Sequence, residues 1–570
     1  MFLLVCAFAA AAASGSYVLQ NRAAAQTRIT RDRGQLVESD SSKLLKASHE
    51  RYFGRGRTVA ADPGKIFAPY GDPIFMPSAI GDLDAAFGTG GKVTTQFGGA
   101  EDVALGVALQ SDGKIVCVGY SASGTSNVAF VARYNVDGSP DTTFDGDGKV
   151  TENFGVGFTT ATSVAIQSDG YIVVGGYTRA AAPATTGYDF FLLRYTPTGT
   201  LDPLFDGDGK VTTDFASFDE ADSVFLQPDN KIVLTGYTNN NTVDRTYAAL
   251  ARYNNDGSPD GSFGTNGKVL GHEGAAFSAL IQPDGQIVTG GWGCAAATCT
   301  SNLDYTFARY NSLDGSPDVS FGTGGKATVA VSAGRDEARA IVLQTDGKIV
   351  ASGANLSSPL GDPIAVVRVN TNGTPDLTFG TNGIVQNLSI PVENAFGLSI
   401  QPNGKIVTGG RIYPTATDSD FALLRLNANG TPDTTFSGDG FVTTSFGTNL
   451  EGIIDFAIQG NGKIVAVGFA ENQAGGDIDA ALARYVSPVT VSGKISTPDG
   501  RGLRNAIVKL TDQAGTQSTT TSAAGLYTFD NVLPGSSVTI KIFSKLYRFD
   551  QLVVPVGFDG VTGVNFVGQE

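Results

Sequence analysis

A phrase of the form Gln-x-Asp-Gly-x-Ile-Val, or a close variant, returns seven times in this chain, beginning at Gln110, Gln167, Gln227, Gln282, Gln344, Gln401 and Gln459. The steps of 55 to 62 residues are too regular for chance. A period of this size marks one supersecondary unit stacked many times. Nothing else in the 570 residues constrains the fold as strongly.

Four strand signals recur in each copy. In the second copy they run from Ser163 to Gln167, Ile172 to Gly176, Phe191 to Tyr195 and Gly209 to Thr213. Period-2 alternation of Val, Ile, Thr and aromatics argues for strands. No window sustains a 3.6-residue period, so helix is not expected. The first and second strands are joined by Asp112-Gly113 and its equivalents, with Asp229-Asn230 in one copy. A two-residue hairpin turn with positive φ at both central positions is predicted there. The third and fourth strands are joined by a longer recipe, such as Asn254-Asn255-Asp256-Gly257-Ser258-Pro259-Asp260 with Phe263 following. Asn and Asp can bond their own backbone in such a loop, and Gly supplies the unusual φ.

Four antiparallel strands repeated seven times, in a chain with 74 Gly, predict an all-β fold: a seven-bladed β-propeller followed by a small β-sandwich. The Gly ending every second strand (Gly119, Gly176, Gly236, Gly291, Gly353, Gly410, Gly468) fits close approach of blade to blade. An open β-solenoid is disfavoured, because its coils are usually shorter and carry no four-strand meander. The expected organisation is a signal peptide or N-terminal anchor at 1–20, a linker or arm at 21–80, the propeller at 81–486, and the sandwich at 489–570.

The repeat is out of phase with the chain. Asp84 to Phe87 and Gly91 to Thr95 are the end of a unit, whereas Ala480 to Tyr485 is a third strand with no fourth strand after it. In six units the strand-end Arg precedes a loop Asp by eight or nine residues, and only Arg484 lacks an Asp downstream while only Asp84 lacks an Arg upstream. The residues 91–97 are therefore predicted to complete the last unit, with Asp84 and Arg484 meeting at the ring closure.

The chain carries 39 basic and 55 acidic residues, a net charge of −16. Nucleic acid is disfavoured as a partner because its phosphates would be repelled, and anionic lipid for the same reason. A monomer is expected, with no membrane contact beyond a potential N-terminal anchor. The apolar run Phe2 to Phe8 with the alanines after it reads as a secretory signal core. No basic residue precedes that run and Arg22, Arg28, Arg31 and Arg33 follow it, so an uncleaved anchor stays open. Cys117 falls in a second strand and reads as a core thiol. Cys294 and Cys299 share one loop, too few thiols for zinc, and a local disulfide fits export to an oxidising compartment.

The repeat resembles the delta-60 repeat of bacterial proteins, on the Asp-x-x-Phe-Gly step (Asp318 to Gly322), the Gly-Lys-Val step, Gln-x-Asp-Gly-Lys-Ile-Val and the Arg-Tyr-Asn step. That resemblance implies a propeller that is secreted, periplasmic or at a bacterial cell surface, and implies no reaction. The C-terminal segment is similar to the carboxypeptidase-regulatory-like domain, on Gly493, Leu503, Ala506, Val508, Leu510, Gly525, Tyr527, Phe529 and Gly535. This implies a transthyretin-like sandwich acting as an accessory module without peptidase activity.

A residue present in every unit is expected to be structural, so function should lie where units differ. Two loops differ: the one from second to third strand, and the one from fourth strand to the next first strand. In a meander both emerge on one face, which is the predicted site for a protein or glycan ligand. Glu101, Glu220, Glu337, Glu393 and Glu451 all precede the repeat Gln by seven to nine residues. A ring of these carboxylates could hold Ca²⁺, with a solvated rim as the plain alternative. No other cofactor is expected. The chain has two His and one Trp, a thin supply for enzyme chemistry or for a broad aromatic platform. His272 is expected to be an exposed strand residue. A non-enzymatic binding or scaffolding protein is therefore expected, with an extracellular propeller hydrolase or lyase using an acidic site as the alternative.

Overall fold

The computed structural model describes residues 80–569 apart from 125, 156, 180–186, 216–217, 241–244, 295–302, 357–362, 387–391, 416–417, 448, 472–475, 513–514, 533–536 and 557–559, and apart from the side chains of residues 240, 392–394, 415 and 531. Every regular element among them is a strand. The basic unit is an antiparallel meander. In the first, Glu101–Leu109 pairs with Ile115–Ser123, that strand with Ser126–Tyr134, and that with Lys149–Glu152. The same order repeats to Glu451–Ile458, Ile464–Glu471 and Ile478–Tyr485, whose fourth partner is Lys92–Thr95 from the other end of the chain. Lys92 lies opposite Ala483 and Thr95 opposite Ala480.

Each first strand contacts the first strand of the following unit, and Glu451–Ile458 contacts Glu101–Leu109. The first strands thus form an inner layer. Each carries a register shift, for example between Ala104 and Gly106, Ala161 and Ser163, or Ile453 and Asp455. Such bulges add local twist to the strand that carries them. Apolar side chains between units are buried from both sides. Val116, Val131, Val164 and Leu193 share one cluster across the first two units, and Phe87, Ile115, Phe130, Val465 and Leu482 share another across the last unit and the first. Gly236 and Gly353 show why the second strand needs a glycine: a Cβ there would lie 1.9 Å and 1.8 Å from the carbonyl oxygens of Glu220 and Glu337. The close approach is therefore to the first strand of the same unit, not to the next blade.

The hairpin between first and second strands differs from the two-residue turn expected from Asp-Gly. Gly113 N donates to Gln110 O and Gln110 N to Lys114 O, each at 2.9 Å. Gly113 has φ 85°, whereas Asp112 is absent from the positive-φ residues. This is a three-residue loop, a right-handed turn followed by one left-handed residue. Asp112 serves as an acceptor instead, its Oδ1 taking Lys114 N at 3.1 Å. Asn230 holds the left-handed place in the one copy without Gly, at φ 64°. A second departure lies between the third and fourth units, where Lys268–Ile281 runs on as one strand and replaces the expected loop.

The C-terminal segment forms two sheets, one containing Leu526–Val532, Val489–Ser496 and Phe566–Val567, the other Gly515–Thr520, Ile507–Asp512, Ser537–Phe543 and Leu552–Pro555. Val491, Val508, Leu510, Phe529, Val532 and Ile540 from both share one buried cluster.

Candidate functional site

The charged residues that recur in the repeat are engaged within the fold. Arg133 Nε donates to Asp141 Oδ2 at 2.6 Å, and equivalent bonds of 2.7–2.8 Å join Arg194 to Asp202, Arg252 to Asp260, Arg309 to Asp318, Arg368 to Asp376 and Arg425 to Asp433. The structure also brings Arg484 to Asp84, Nε to Oδ2 at 2.8 Å, across 400 positions of sequence. Each guanidinium lies over the Phe of the Asp-x-x-Phe step, 4.3–4.9 Å from the ring centre, as with Arg252 over Phe263 and Arg309 over Phe321. In most units Nη1 reaches a backbone carbonyl in the following unit, such as Pro197 O from Arg133 at 2.6 Å, Thr371 O from Arg309 at 3.0 Å and Val136 O from Arg484. The Lys of Asp-Gly-Lys adds a second cation: Lys114 to Asp141 at 3.0 Å, Lys463 to Asp84 at 3.0 Å. Burial opposes ionisation of Asp141, but Thr143, Lys114 and Arg133 outweigh it and hold the carboxyl far below its usual range. These clamps sit on the face formed by the loops of constant length.

The other face carries the predicted glutamates. They occupy three register positions. Glu101 pairs with Ala122, Glu220 with Tyr237, Glu337 with Ala354, and Glu451 with Ala470. Counted from the first-strand bulge, Glu220 and Glu337 are equivalent, Glu451 lies one residue earlier and Glu101 two. A one-residue offset in a strand turns the side chain to the opposite sheet face, so these glutamates do not present as one ring. Glu337 is buried and paired with Arg335 Nε at 2.7 Å and Arg339 Nη2 at 3.1 Å. Glu451 is buried, accepts Phe446 N at 2.6 Å, and is pushed up to about 7 by burial with Asp420 nearby. Burial also raises Glu101. The side chain of Glu393 lies outside the described residues.

What this face holds instead is a recurrent pair of acids at the junction of consecutive units. Asp189, Asp304, Asp420 and Asp479 each stand five residues before the strand-end Arg. Opposite them, on the next first strand, stand Asp219, Asp336, Glu451 and Asp102, all fully buried. The first-strand acid ties down the loop before it: Asp102 Oδ2 accepts Phe97 N at 2.7 Å, Asp219 Oδ2 accepts Phe215 N at 2.6 Å, and Asp336 Oδ2 accepts Ser332 N at 2.7 Å. At one junction a third acid joins. The ligand atoms of Asp189, Asp214 and Asp219 lie within 4.8 Å of one another, the single such group among the described residues. Burial, then the charge of Asp214, pushes Asp189 up to about 6. Three carboxylates this close could share a proton or a hard cation. At the equivalent of Asp214, Gln96 donates to Asp479 at 3.4 Å and Ser445 bonds Asp420, so a donor elsewhere is an acid here.

Cys294 is disulfide-bonded, and Cys299 lies outside the described residues. Cys117 is a buried free thiol, pushed up to about 12 by burial. His272 is half-buried, not exposed as expected. Burial and Lys326 push it down to about 4, so it stays neutral. A cavity of about 450 Å³ opens beside the closure, lined by Thr94, Gln96, Tyr134, Lys149 and Asp479. Sequence reasoning missed the junction acids. Their signal was present as Asp five residues before Arg in four copies, read together with the acid that opens the next first strand.

Six segments match the model of a family described as a domain of unknown function (DUF5122) beta-propeller: residues 110–144, 167–205, 227–263, 282–321, 344–379 and 401–436. No curated protein sequence matches the chain. Among solved structures, a protein of unknown function from Dyadobacter fermentans is similar at 12% identity and a TM-score of 0.38, covering 69% of this chain and 97% of that one. A catalytically inactive virginiamycin B lyase from Staphylococcus aureus with quinupristin is similar at 11% identity and 0.37, covering 69% and 98%. The polysaccharide lyase Uly1 is similar at 12% identity and 0.38, covering 75% and 94%. Six segments between Gln110 and Phe436 are thus similar to the DUF5122 beta-propeller repeat.

Proposed function

We propose that this chain is a non-enzymatic binding or scaffolding protein, exported or held at a cell surface, in which a closed seven-bladed β-propeller presents one face to a protein or glycan and a C-terminal β-sandwich serves as spacer or second contact. Two observations support the blade count. The matched segment begins at the repeat Gln and ends at the clamp Phe, as in 110–144. A seventh would begin at Gln459, but its Asp and Phe are Asp84 and Phe87 at the far end of the chain, which explains six contiguous matches beside a seventh set of strands.

The observation that carries the binding reading is the contrast between the two faces. Repeated Arg, Asp and Lys are engaged in clamps on one face, where loops hold their length. On the other face the second-to-third loop runs from two residues, Ser123 to Ser126, to ten, Gly293 to Asp304. Variation in loop length on a rigid scaffold is how folds of this kind acquire ligands. The test profiles the purified full chain against glycans and envelope proteins, then repeats it with the long loops 180–186 and 295–302 each replaced by a two-residue turn. Loss of the captured ligand in a loop variant supports the reading. Unchanged capture by both variants would refute it.

A further inference from the structure

One sheet face of the C-terminal segment stands open to solvent. Ile507, Lys509, Lys541, Phe543 and Val553 point outward from it. The other outward positions of Gly515–Thr520, Ile507–Asp512 and Ser537–Phe543 hold Thr or Ser, so no acid stands on these three strands' outer side. Two pairings on this face work against the segment on its own. Lys509 lies directly opposite Lys541, and Ile507 directly opposite Phe543. Facing like charges repel, and a facing apolar pair left in water forgoes the burial open to it. Lys509 Nζ lies 5.3 Å from the centre of the Phe543 ring, so cation and ring form one patch. Lys545 and Leu546 follow Phe543 in the chain and continue the pattern, Leu546 being 78% exposed.

The clamp face of the fourth and fifth units carries the opposite charge. The residue after the clamp Asp is Ala, Thr, Pro or Gly in five units, but Val319 and Leu377 in these two, 76% and 72% exposed. Leu313, in the same loop as Val319, is 83% exposed. Stacking of the repeat does not ask for these apolar side chains, and clustered exposed ones mark contact surfaces. Asp284 and Asp314 of the fourth unit are exposed and accept uncharged donors, Gln286 N at 3.1 Å and Ser316 N at 2.9 Å. The two surfaces are therefore opposite in charge and both apolar in part, which suits a contact between them. They do not meet within one chain, since both are exposed in it. Tyr485 is joined to Val489 by Val486, Ser487 and Pro488, all buried, and Gln401 Nε2 donates to Ser487 Oγ at 2.8 Å, so no hinge is left for folding back. An anionic lipid surface would meet the same lysines, but a chain of net charge −16 is repelled by it.

We propose that the open sheet face around Lys509, Lys541 and Phe543 docks on the clamp face of a second copy of this chain, at Leu313, Val319, Leu377 and the aspartates of the same units. Two different surfaces meet, so the contact is head-to-tail and every copy keeps a surface free for the next. The variable-loop face stays open in such an array, and the inference does not rest on that face binding a ligand. The test is sedimentation equilibrium of the full chain over a concentration series. Wild type should associate with a Kd of about 10–100 µM, as for a contact of modest size. Raising NaCl from about 0.05 M to about 0.5 M should weaken it about tenfold. Lys509→Glu with Lys541→Glu breaks one surface, and Val319→Lys with Leu377→Lys breaks the other. Each double variant should be monomeric with unchanged melting, because all four side chains are exposed. Mixed in equal amounts, the two should form a dimer that grows no further, since each keeps the surface the other lacks. If one double variant does not fold, the other in excess should shorten the wild-type assemblies. Wild type that stays monomeric at about 0.3 mM would overturn the proposal, and binding of phosphatidylglycerol vesicles by that monomer would give the face to a lipid surface instead. Association that survives either double variant, a mixture that stays monomeric, or assemblies left unshortened would overturn the pairing of these two surfaces.

Discussion

The two faces of the repeat array use the same chain in opposite ways. On one face, five residues separate Leu109 from Ile115, Ile166 from Ile172 and Ile458 from Ile464, and the third-to-fourth loops hold 14 or 15 residues throughout, as from Tyr134 to Lys149 and from Tyr310 to Lys326. Each of those longer loops is fixed by an Arg–Asp pair, a Phe under the guanidinium and, in most units, a bond into the next unit. On the other face, loop length ranges widely and the buried acids stand in facing pairs. The contrast teaches that a charge repeated in every unit is a joint, whereas a charge placed in only some units departs from what stacking requires. Asp214 is a departure of the second kind.

The sharpest way to break the comparison is to remove the joint that closes the array. Deleting residues 81–97 removes Asp84, Phe87 and the strand Lys92–Thr95 together. The strand Ile478–Tyr485 would then present an unpaired edge, a template for association between chains. The expected outcome is aggregation on purification and loss of a cooperative melt. A monomeric deletion protein with unchanged melting would show that the clamp at Asp84 and Arg484 is dispensable.

Single clamps come next. Arg425 is fully buried beside Asp433, whereas the side chains of Arg309 and Asp318 are 12% and 14% exposed. Removing one partner of a buried pair costs about 3–5 kcal/mol where it strands the other charge. Asp433 keeps Lys405 Nζ at 3.3 Å, so Arg425→Ala should reach the lower end of that range in urea denaturation, and Arg309→Ala should cost about 1–2 kcal/mol because solvent screens the remaining carboxylate. Equal costs for the two would mean that burial does not set the strength of the clamp.

Much of this was legible in the sequence because the repeat supplied its own alignment. The period, the strand order, the phase offset at the closure and the pairing of Arg with Asp all follow from spacing alone. The Asp-Gly turn was misread because the same dipeptide serves two hairpin types, and the hydrogen bonds of Gln110 decide between them. The glutamate ring was misread because an interval of seven to nine residues spans several register positions, whereas a strand resolves single steps. The first-strand bulge makes this worse, since it changes the parity of everything before it and leaves no residue signature.

The pH dependence of stability separates the two faces further. Clamp acids such as Asp433 are held low, so what they contribute is present above the usual carboxylate range and is lost only in strong acid. The junction acids behave oppositely. Glu451 is pushed up to about 7 and Asp189 to about 6, so between about pH 4 and those values the folded chain holds protons that the unfolded chain does not. Their contribution is full below about pH 4 and is lost as pH rises from there to the folded values. Melting temperature should therefore fall by about 2 °C or more from pH 5 to pH 8. Glu451→Gln keeps an acceptor for Phe446 N and should flatten part of that slope. A melting temperature that rises steadily from pH 5 to pH 8 would remove the junction acids from the argument.

The smallest effect is the most direct comparison of all, the same insertion made on both faces. Four residues of Gly-Ser placed between Gly124 and its neighbour lengthen a two-residue loop between Ser123 and Ser126. Closing a longer flexible loop costs only about 0.6 kcal/mol per doubling, so about 1 kcal/mol is expected. The same four residues placed after Asp112 separate Gln110 from its two backbone bonds and pull Lys114 away from Asp141, 3.0 Å distant. Two lost hydrogen bonds and a weakened clamp cost about 2–3 kcal/mol together. Urea denaturation of the two insertion variants should thus differ by about 1–2 kcal/mol in favour of the variable face, at unchanged m-value. If the insertion after Asp112 proves the milder one, uniform loop length on that face reflects repeat history and not the joints it carries.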